Sequence, residues 1–456
     1  MPRQYYILQT ASIKEALNKI SDNQQGFILT TNKSDEIVGL VTDGDLRAKL
    51  VEGISLDQPI ASCANSNFIW ADAETPREII LKQLDHNIRF IPLLDKNRRL
   101  IDIVTRYHLP IPDEEKVYAR AKSPVRISFG GGGSDLTHYF MEENGAVINT
   151  TISLYSHATL IKRQDDQINI YSRDLDETYH AENLMEALSA SNSFKLILSV
   201  IKLIHPEYGF DLYLHCDFPI KSGLGGSAVV ASSIIGCFNQ FRTDKWDQYE
   251  MAELAYQAER LYLDIAGGWQ DQYATVFGGF NFMEFRLKQN IIHPLRIDSE
   301  IILELEESLV LCDTGTTHES GDVHLDQKSE MSNKAVREMV KENVELTYEI
   351  RNQLLRGRLA EFGKSLDKAW SLKKQFSSHI SNSGLDDIYN VAKSNGATGG
   401  KLLGAGGGGF FLFFVPATYK HILMKSLEQI GKTVRPFRFE EKGLQGWTVR
   451  ERQNNI

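Results

Sequence analysis

The stretch Asp217-Phe-Pro-Ile-Lys-Ser-Gly-Leu-Gly-Gly-Ser-Ala-Val-Val230 has the makings of a phosphate cradle. Glycines at 223, 225 and 226 let a backbone come close to a ligand. Upstream, Phe210 to Cys216 alternates apolar and polar side chains, the period of a half-buried strand. Downstream, Ala228 to Phe241 is small, apolar and free of Pro, which predicts a buried helix opened by Ser227. A helix start offers unpaired N–H groups and the positive end of its dipole, so the loop suits an anion. Two other glycine-loop readings fail. Gly223-x-Gly225-x-x-Ala228 satisfies the dinucleotide fingerprint, but a second helical stretch, Asp247 to Leu263, follows where a strand is required. Gly399-Gly400-Lys401-Leu402 lacks the hydroxyl that a Walker A loop needs.

Three further stretches carry chemistry-bearing side chains. Arg126 precedes a glycine run, Gly130 to Gly133, that ends on Ser134 and Asp135. The glycine run could be a tight turn alone, but the acid beyond it favours a binding site. Glu259 lies on the second predicted helix, before Gly267-Gly-Trp-Gln-Asp271. Asp271 by itself reads equally well as a helix cap or a base. Gly396 to Gly409 is a glycine loop running into Phe-Phe-Leu-Phe-Phe, a buried strand.

These motifs, in this order, resemble those of the GHMP kinases over residues 118–450. Pro219-x-x-x-Gly223-Leu-Gly225-Gly226-Ser227-Ala228 is similar to the family's phosphate loop. Pro124, Arg126, Gly131, Ser134 and Asp135 match the first motif, and Lys401-x-x-Gly404-Ala-Gly-Gly-Gly-Gly409 the third. The resemblance implies ATP held by Lys221, Ser222, Gly223, Leu224, Gly225, Gly226, Ser227 and Ala228, with Mg²⁺ on Ser227 and Glu259. It makes Asp271 the base and Arg126 its neighbour, which keeps it ionised. It puts the acceptor against Gly132, Gly133, Ser134, Asp135, Gly268, Trp269, Gly406 and Gly407. Where galactokinases carry Glu-His, this chain has Gly132-Gly133, which opens room for a larger or anionic substrate. His318 stands where related sugar kinases carry Arg, weakening any phosphate grip there. The combination is most similar to the heptose 7-phosphate kinase and fucokinase-like branch, which implies a sugar or sugar-phosphate acceptor taking phosphate on its anomeric hydroxyl. The alternatives are another sugar kinase specificity, or a nucleotide-sensing regulator with a degenerate kinase body. Intact Ser227, Glu259, Asp271 and Arg126 argue against the last.

The elements that must position these residues occupy a 456-residue chain, enough for two or three domains. Hydrophobic content of 42% and charged content of 24% are those of a soluble globular protein. A net charge of −10 speaks against nucleic acid as a partner. No apolar run reaches the ~18 residues of a membrane span. Cys63, Cys216, Cys237 and Cys312 are widely spaced and read as free thiols in a reducing cytoplasm. Ser329 to Leu355 and Arg358 to Phe376 read as long amphipathic helices with solvated charged faces.

The first 112 residues repeat at an offset of 63. Ser12-x-x-Glu15 falls on Thr75-x-x-Glu78 as two capping boxes, Gly26-Phe-Ile-Leu on Arg89-Phe-Ile-Pro, and Ile37 to Thr42 on Leu100 to Thr105. The two copies resemble a tandem CBS domain, whose T/S-x-x-D ending holds the ribose of an adenine nucleotide. Copy one keeps Thr42 and Asp45; copy two has His108 in the acidic place. One regulatory nucleotide site is the expectation, and a dimerising module that binds nothing is the alternative; either fits a homodimer. The expected fold is α+β: the CBS pair over 1–112, a linker over 113–117, and a two-lobed kinase with lobes 118–310 and 311–456.

Overall fold

The computed structural model describes residues 3–72, 75–84, 88–105, 108, 115–189, 193–219, 222–316, 326, 329–330 and 333–452. They form two compact units, Met1–Glu115 and Lys116–Ile456. Lys221, His318 and residues 113–114 of the expected linker lie outside the described residues; Glu115 already begins a strand.

In the first unit the repeat is physical. Tyr6–Leu8, Phe27–Thr31 and Ile37–Thr42 form one three-stranded sheet; Ala71–Asp72, Phe90–Leu94 and Leu100–Thr105 form the other. Each has a parallel pair followed by an antiparallel pair. The register slips at Thr30/Thr31 in one and at Leu93/Leu94 in the other, the same place at the repeat offset. Phe27 and Phe90, equivalent in the two copies, stack with ring centroids 3.6 Å apart, and Leu29, Ile37, Leu94, Leu100 and Ile103 complete that shared core.

One capping box forms and the other does not. Ser12 and Glu15 cap Ile13–Asn23 reciprocally. In copy two, Thr75 turns its hydroxyl to the Asp72 carboxylate at 2.8 Å, and Pro76 takes the N-cap place. That shift leaves Glu78 one position too early to reach back, and it pairs with Lys82 instead.

The second unit is built on an antiparallel-dominated sheet of nine strands among the described residues. Its main order runs Glu177–Ala181, Ile168–Ser172, Phe210–Cys216, Gly145–Lys162, Phe280–Arg286 and Gln289–Pro294. Gly145–Lys162 also pairs with Glu115–Gly130, the strand that carries Arg126. The register between them breaks at Pro124/Val125, where proline has no N–H to give. The Gly226–Gln240 helix covers one face of this sheet, and its small side chains are buried almost throughout.

A second sheet, ordered Gly399–Leu402, Phe410–Phe414, Leu309–Asp313 and Thr433–Arg435, packs with the helices Lys334–Leu355 and Leu359–Lys373 in one continuous core. Leu309 and Val310 already belong to this sheet, and Phe439–Glu440 and Gln445–Arg452 return to the first. No helix among the described residues is long and apolar enough to cross a membrane.

Candidate active site

Gly225 sits at the N-cap of Gly226–Gln240 with φ +80°, in the left-handed region, and offers no side chain to cap the helix. The first N–H groups of the helix are left for a ligand. A Cβ on Gly225 would meet the Asp271 carboxylate at 3.2 Å, so the loop lies directly against that acid. Behind it, the backbones of Gly223 and Gly404 approach so closely that a Cβ on Gly404 would fall 2.7 Å from the Gly223 carbonyl. The third glycine motif thus works as packing for the first.

Asp271, in the first turn of Gln270–Phe277, is gripped side-on by Arg126. Nε donates to Oδ1 and Nη2 to Oδ2, both at 2.8 Å, and Nη1 donates to the Gly223 carbonyl at 2.8 Å. The guanidinium is buried and the carboxylate keeps 23% of its surface. A fixed cation at that distance holds a carboxylate ionised.

Asp135 is buried beside them, accepting from the N–H groups of Gly133 at 3.1 Å and Gln270 at 3.2 Å. Burial pushes its carboxyl above the usual range, and the Asp271 charge adds to the shift. Glu259 sits on a π-helical turn, Gln257–Tyr262, that interrupts the predicted helix. Burial raises its affinity for a proton, while Arg260, Gln272 (Nε2 to Oε2, 2.7 Å) and the Ser227 hydroxyl oppose the rise. Ser227 and Glu259 therefore present two hard oxygen donors side by side at the helix start, a set suited to Mg²⁺.

Two buried lysines enter the same cavity. Lys373, 6% exposed, ends the Leu359–Lys373 helix with its ammonium on the Gly404 carbonyl. Burial lowers it to about 8, with Arg126 adding. Lys401, 3% exposed, lies near Ser128, and burial with the Lys373 and Arg126 charges pushes it well below the ordinary range. Lys373 is not on the solvated face expected for its helix. It lies in line with Leu366, Ala369 and Trp370, a charge on an apolar stripe, and that misplacement was the available signal.

Arg126, Asp135, Glu259, Asp271, Lys373 and Lys401 all line one cavity of about 330 Å³. Its floor is Ser222, Gly223, Gly225, Gly226 and Ser227, with Gly132, Gly133, Gly268 and Gly404 alongside. A second arm is apolar, walled by Leu175, Phe194, Leu196, Ile197 and Leu214, none of which the motifs pointed to, and by Val230 at the end of the glycine stretch.

Several expected contact residues do other work. The Ser134 hydroxyl is taken up by the Gly131 and Ala146 carbonyls at 2.7 and 3.0 Å. Trp269 stacks on Tyr256 with centroids 3.6 Å apart and donates to Thr137, away from the cavity lining. The Leu224 and Ala228 side chains are core. Gly406 packs on Ile380 and Gly407 donates its N–H to the Ile380 carbonyl; Gly404 and Ala405 line the cavity instead.

Residues 195–279 match the family described as GHMP kinases N terminal domain, residues 350–423 GHMP kinases C terminal, and residues 1–52 and 60–109 CBS domain. A D-glycero-alpha-D-manno-heptose 7-phosphate kinase of Campylobacter jejuni is 37% identical over 336 residues, 72% of this chain and 99% of that protein. The chain is a GHMP kinase with a CBS pair. It acts as a phosphotransferase with a hydroxyl acceptor, and GHMP kinases use ATP as donor. A galactokinase of Pyrococcus furiosus is 28% identical over 63% of this chain and 86% of its own length. The crystal structure of a D-glycero-D-manno-heptose 1-phosphate kinase of Bacteroides thetaiotaomicron is 29% identical, covers 73% of this chain and 99% of its own, and has a TM-score of 0.61.

Proposed function

We propose that this GHMP kinase phosphorylates the anomeric hydroxyl of D-glycero-D-manno-heptose 7-phosphate, giving the 1,7-bisphosphate. The observation that carries the reading is the Asp271–Arg126 pair, held under the phosphate loop and flanked by Asp135 and two buried lysines. Lys373 and Lys401 make no ion pair among the described residues, and an acceptor with its own phosphate would supply a counter-charge for them. The relatives named for heptose phosphates point the same way.

The apolar arm takes the adenine, and the helix start with Gly225 to Ser227 takes the phosphates. Asp135 orients the sugar hydroxyls. Asp271 accepts the proton of the attacking hydroxyl as its oxygen bonds to the γ-phosphorus and the bond to the β-phosphate oxygen breaks, releasing ADP. Arg126 keeps Asp271 ionised and opposes the charge that builds at the reacting group. Ser227 and Glu259 would hold Mg²⁺, which supplies charge neutralisation to the phosphates when bound. An adenine nucleotide on Thr42 and Asp45, and a homodimer working in the cytoplasm, belong to the same proposal.

A panel assay with ATP tests it: heptose 7-phosphate should give a higher kcat/KM than galactose or fucose, with phosphate on C1 of the product by NMR. An unphosphorylated hexose as the best acceptor would instead establish the fucokinase-like or galactokinase-like reading.

A further inference from the structure

The large sheet carries a second cluster of ligating side chains on the face that the Gly226–Gln240 helix does not cover. Ser156 and Ala158 meet that helix, through Ser156–Ser233 at 3.0 Å and Cys237 to the Ala158 carbonyl at 3.4 Å. Strand alternation therefore turns His157 to the opposite face. His157 and His215 are register partners on adjacent strands, and their imidazoles lie parallel, 6° apart in plane with centroids at 4.5 Å. Asp217 follows two residues on, with Oδ2 at 3.2 Å from Nε2 of His157. The ligand atoms of all three lie within 4.8 Å of one another.

We propose that His157, His215 and Asp217 form a binding site for a zinc-class divalent cation at the root of the phosphate loop. Two imidazole nitrogens and one carboxylate oxygen are the donor set that zinc takes when three protein ligands leave positions open to water. Donors around such an ion stand about 3.3 Å apart, so closure needs only rotation of the exposed His215 and Asp217 and the half-buried His157. The carboxylate is already aimed, since Asp217 accepts the Tyr155 N–H at 3.1 Å and donates its own N–H to the Tyr155 carbonyl at 2.9 Å. Such outer hydrogen bonds fix the orientation of metal ligands. Two cations face the site: Arg173, whose charge acts on His215, and Lys122, the register partner of His157, whose ammonium is turned onto the Tyr155 ring at 4.4 Å.

The position gives occupancy a consequence. Leu214 and Cys216, alternating with these ligands, line the nucleotide cavity from the other face, and Ser222 on the cavity floor is five residues past Asp217. A bound ion would tether the entry of the loop to the strand and alter ATP affinity rather than chemistry.

Calorimetry on the full, chelator-stripped chain with excess Mg²⁺ and no nucleotide should find one Zn²⁺ per chain. His215→Ala and His157→Ala should each weaken it by about tenfold or more. Zn²⁺ should shift KM for ATP in the wild type and not in His215→Ala, whose activity without zinc and circular dichroism stay those of the wild type. Equal zinc affinity in wild type and His215→Ala, or no saturable binding, would overturn the site. A zinc effect on KM that persists in His215→Ala would overturn its link to the loop.

Discussion

Gly268 lies against Asp135 so tightly that a Cβ on it would fall 1.8 Å from Oδ2. The acid cannot retreat, because the N–H groups of Gly133 and Gln270 hold it. Gly268→Ala should therefore push Asp135 off its position. Displacements of that size cost roughly 10²-fold in well-ordered sites. The loss should appear in kcat/KM for the sugar, with nucleotide binding unchanged by calorimetry.

Asp271→Asn keeps the shape of the Arg126 pair and removes the proton acceptor. ATP binding should stay near normal while kcat falls by ~10²-fold or more, the usual contribution of a general base. Near-wild-type kcat with a good acceptor would remove Asp271 from that role.

Lys373 couples activity to stability in opposite senses. Its folded proton affinity, about 8, lies below the ordinary value of 10.5. Between those values the unfolded chain binds a proton that the folded chain does not, so wild-type stability should rise as pH climbs from about 8 towards 10.5. Lys373→Met should flatten that rise and melt higher at pH 7, since a buried charge is removed without losing volume. The same variant should lose acceptor affinity, and the wild type should lose it too as pH passes about 8. Thermal melts and acceptor KM across pH 6.5–9.5, a range about 1.5 units either side of the transition, read both effects.

Thr42 and Asp45 form a reciprocal cap on Asp43–Val51: the Thr42 hydroxyl and N–H both donate to Asp45 Oδ2, at 2.7 and 2.8 Å. The pair expected to hold a ribose is thus also a structural clasp. Asp45→Asn retains capping ability and removes the charge. In residues 1–115, AMP should bind once per unit in the wild type and much more weakly in Asp45→Asn, with unchanged helical signal. Absence of any adenine nucleotide binding to that unit would leave dimerisation as its role.

What the sequence made legible follows what a local pattern can encode. The strand Phe210–Cys216 and the buried helix after the loop were readable from periodicity, whereas the Asp271–Arg126 partnership came only from the resemblance of the motifs, because no spacing joins residues so far apart in the chain. Lys373 was missed because a helical lysine reads as solvated until its facing sheet is known. Trp269 and Ser134 sit inside motifs, yet their polar atoms are taken up by Thr137 and by backbone carbonyls, which no spacing reveals. The second capping box failed on one local competitor, Asp72, and the apolar arm comes from strands and a helix start that carry no motif.

The return of Gln445–Arg452 to pair with Glu115–Gly130 sets an order of events during synthesis. Arg126 lies on that early strand, more than three hundred residues before its last neighbour. A ribosome adding ~5–20 residues per second leaves the strand edge exposed for tens of seconds, as an unpaired and sticky template. The sheet that carries Arg126 is thus completed only when residues 445–452 have been made, and until then that strand edge can pair with another chain.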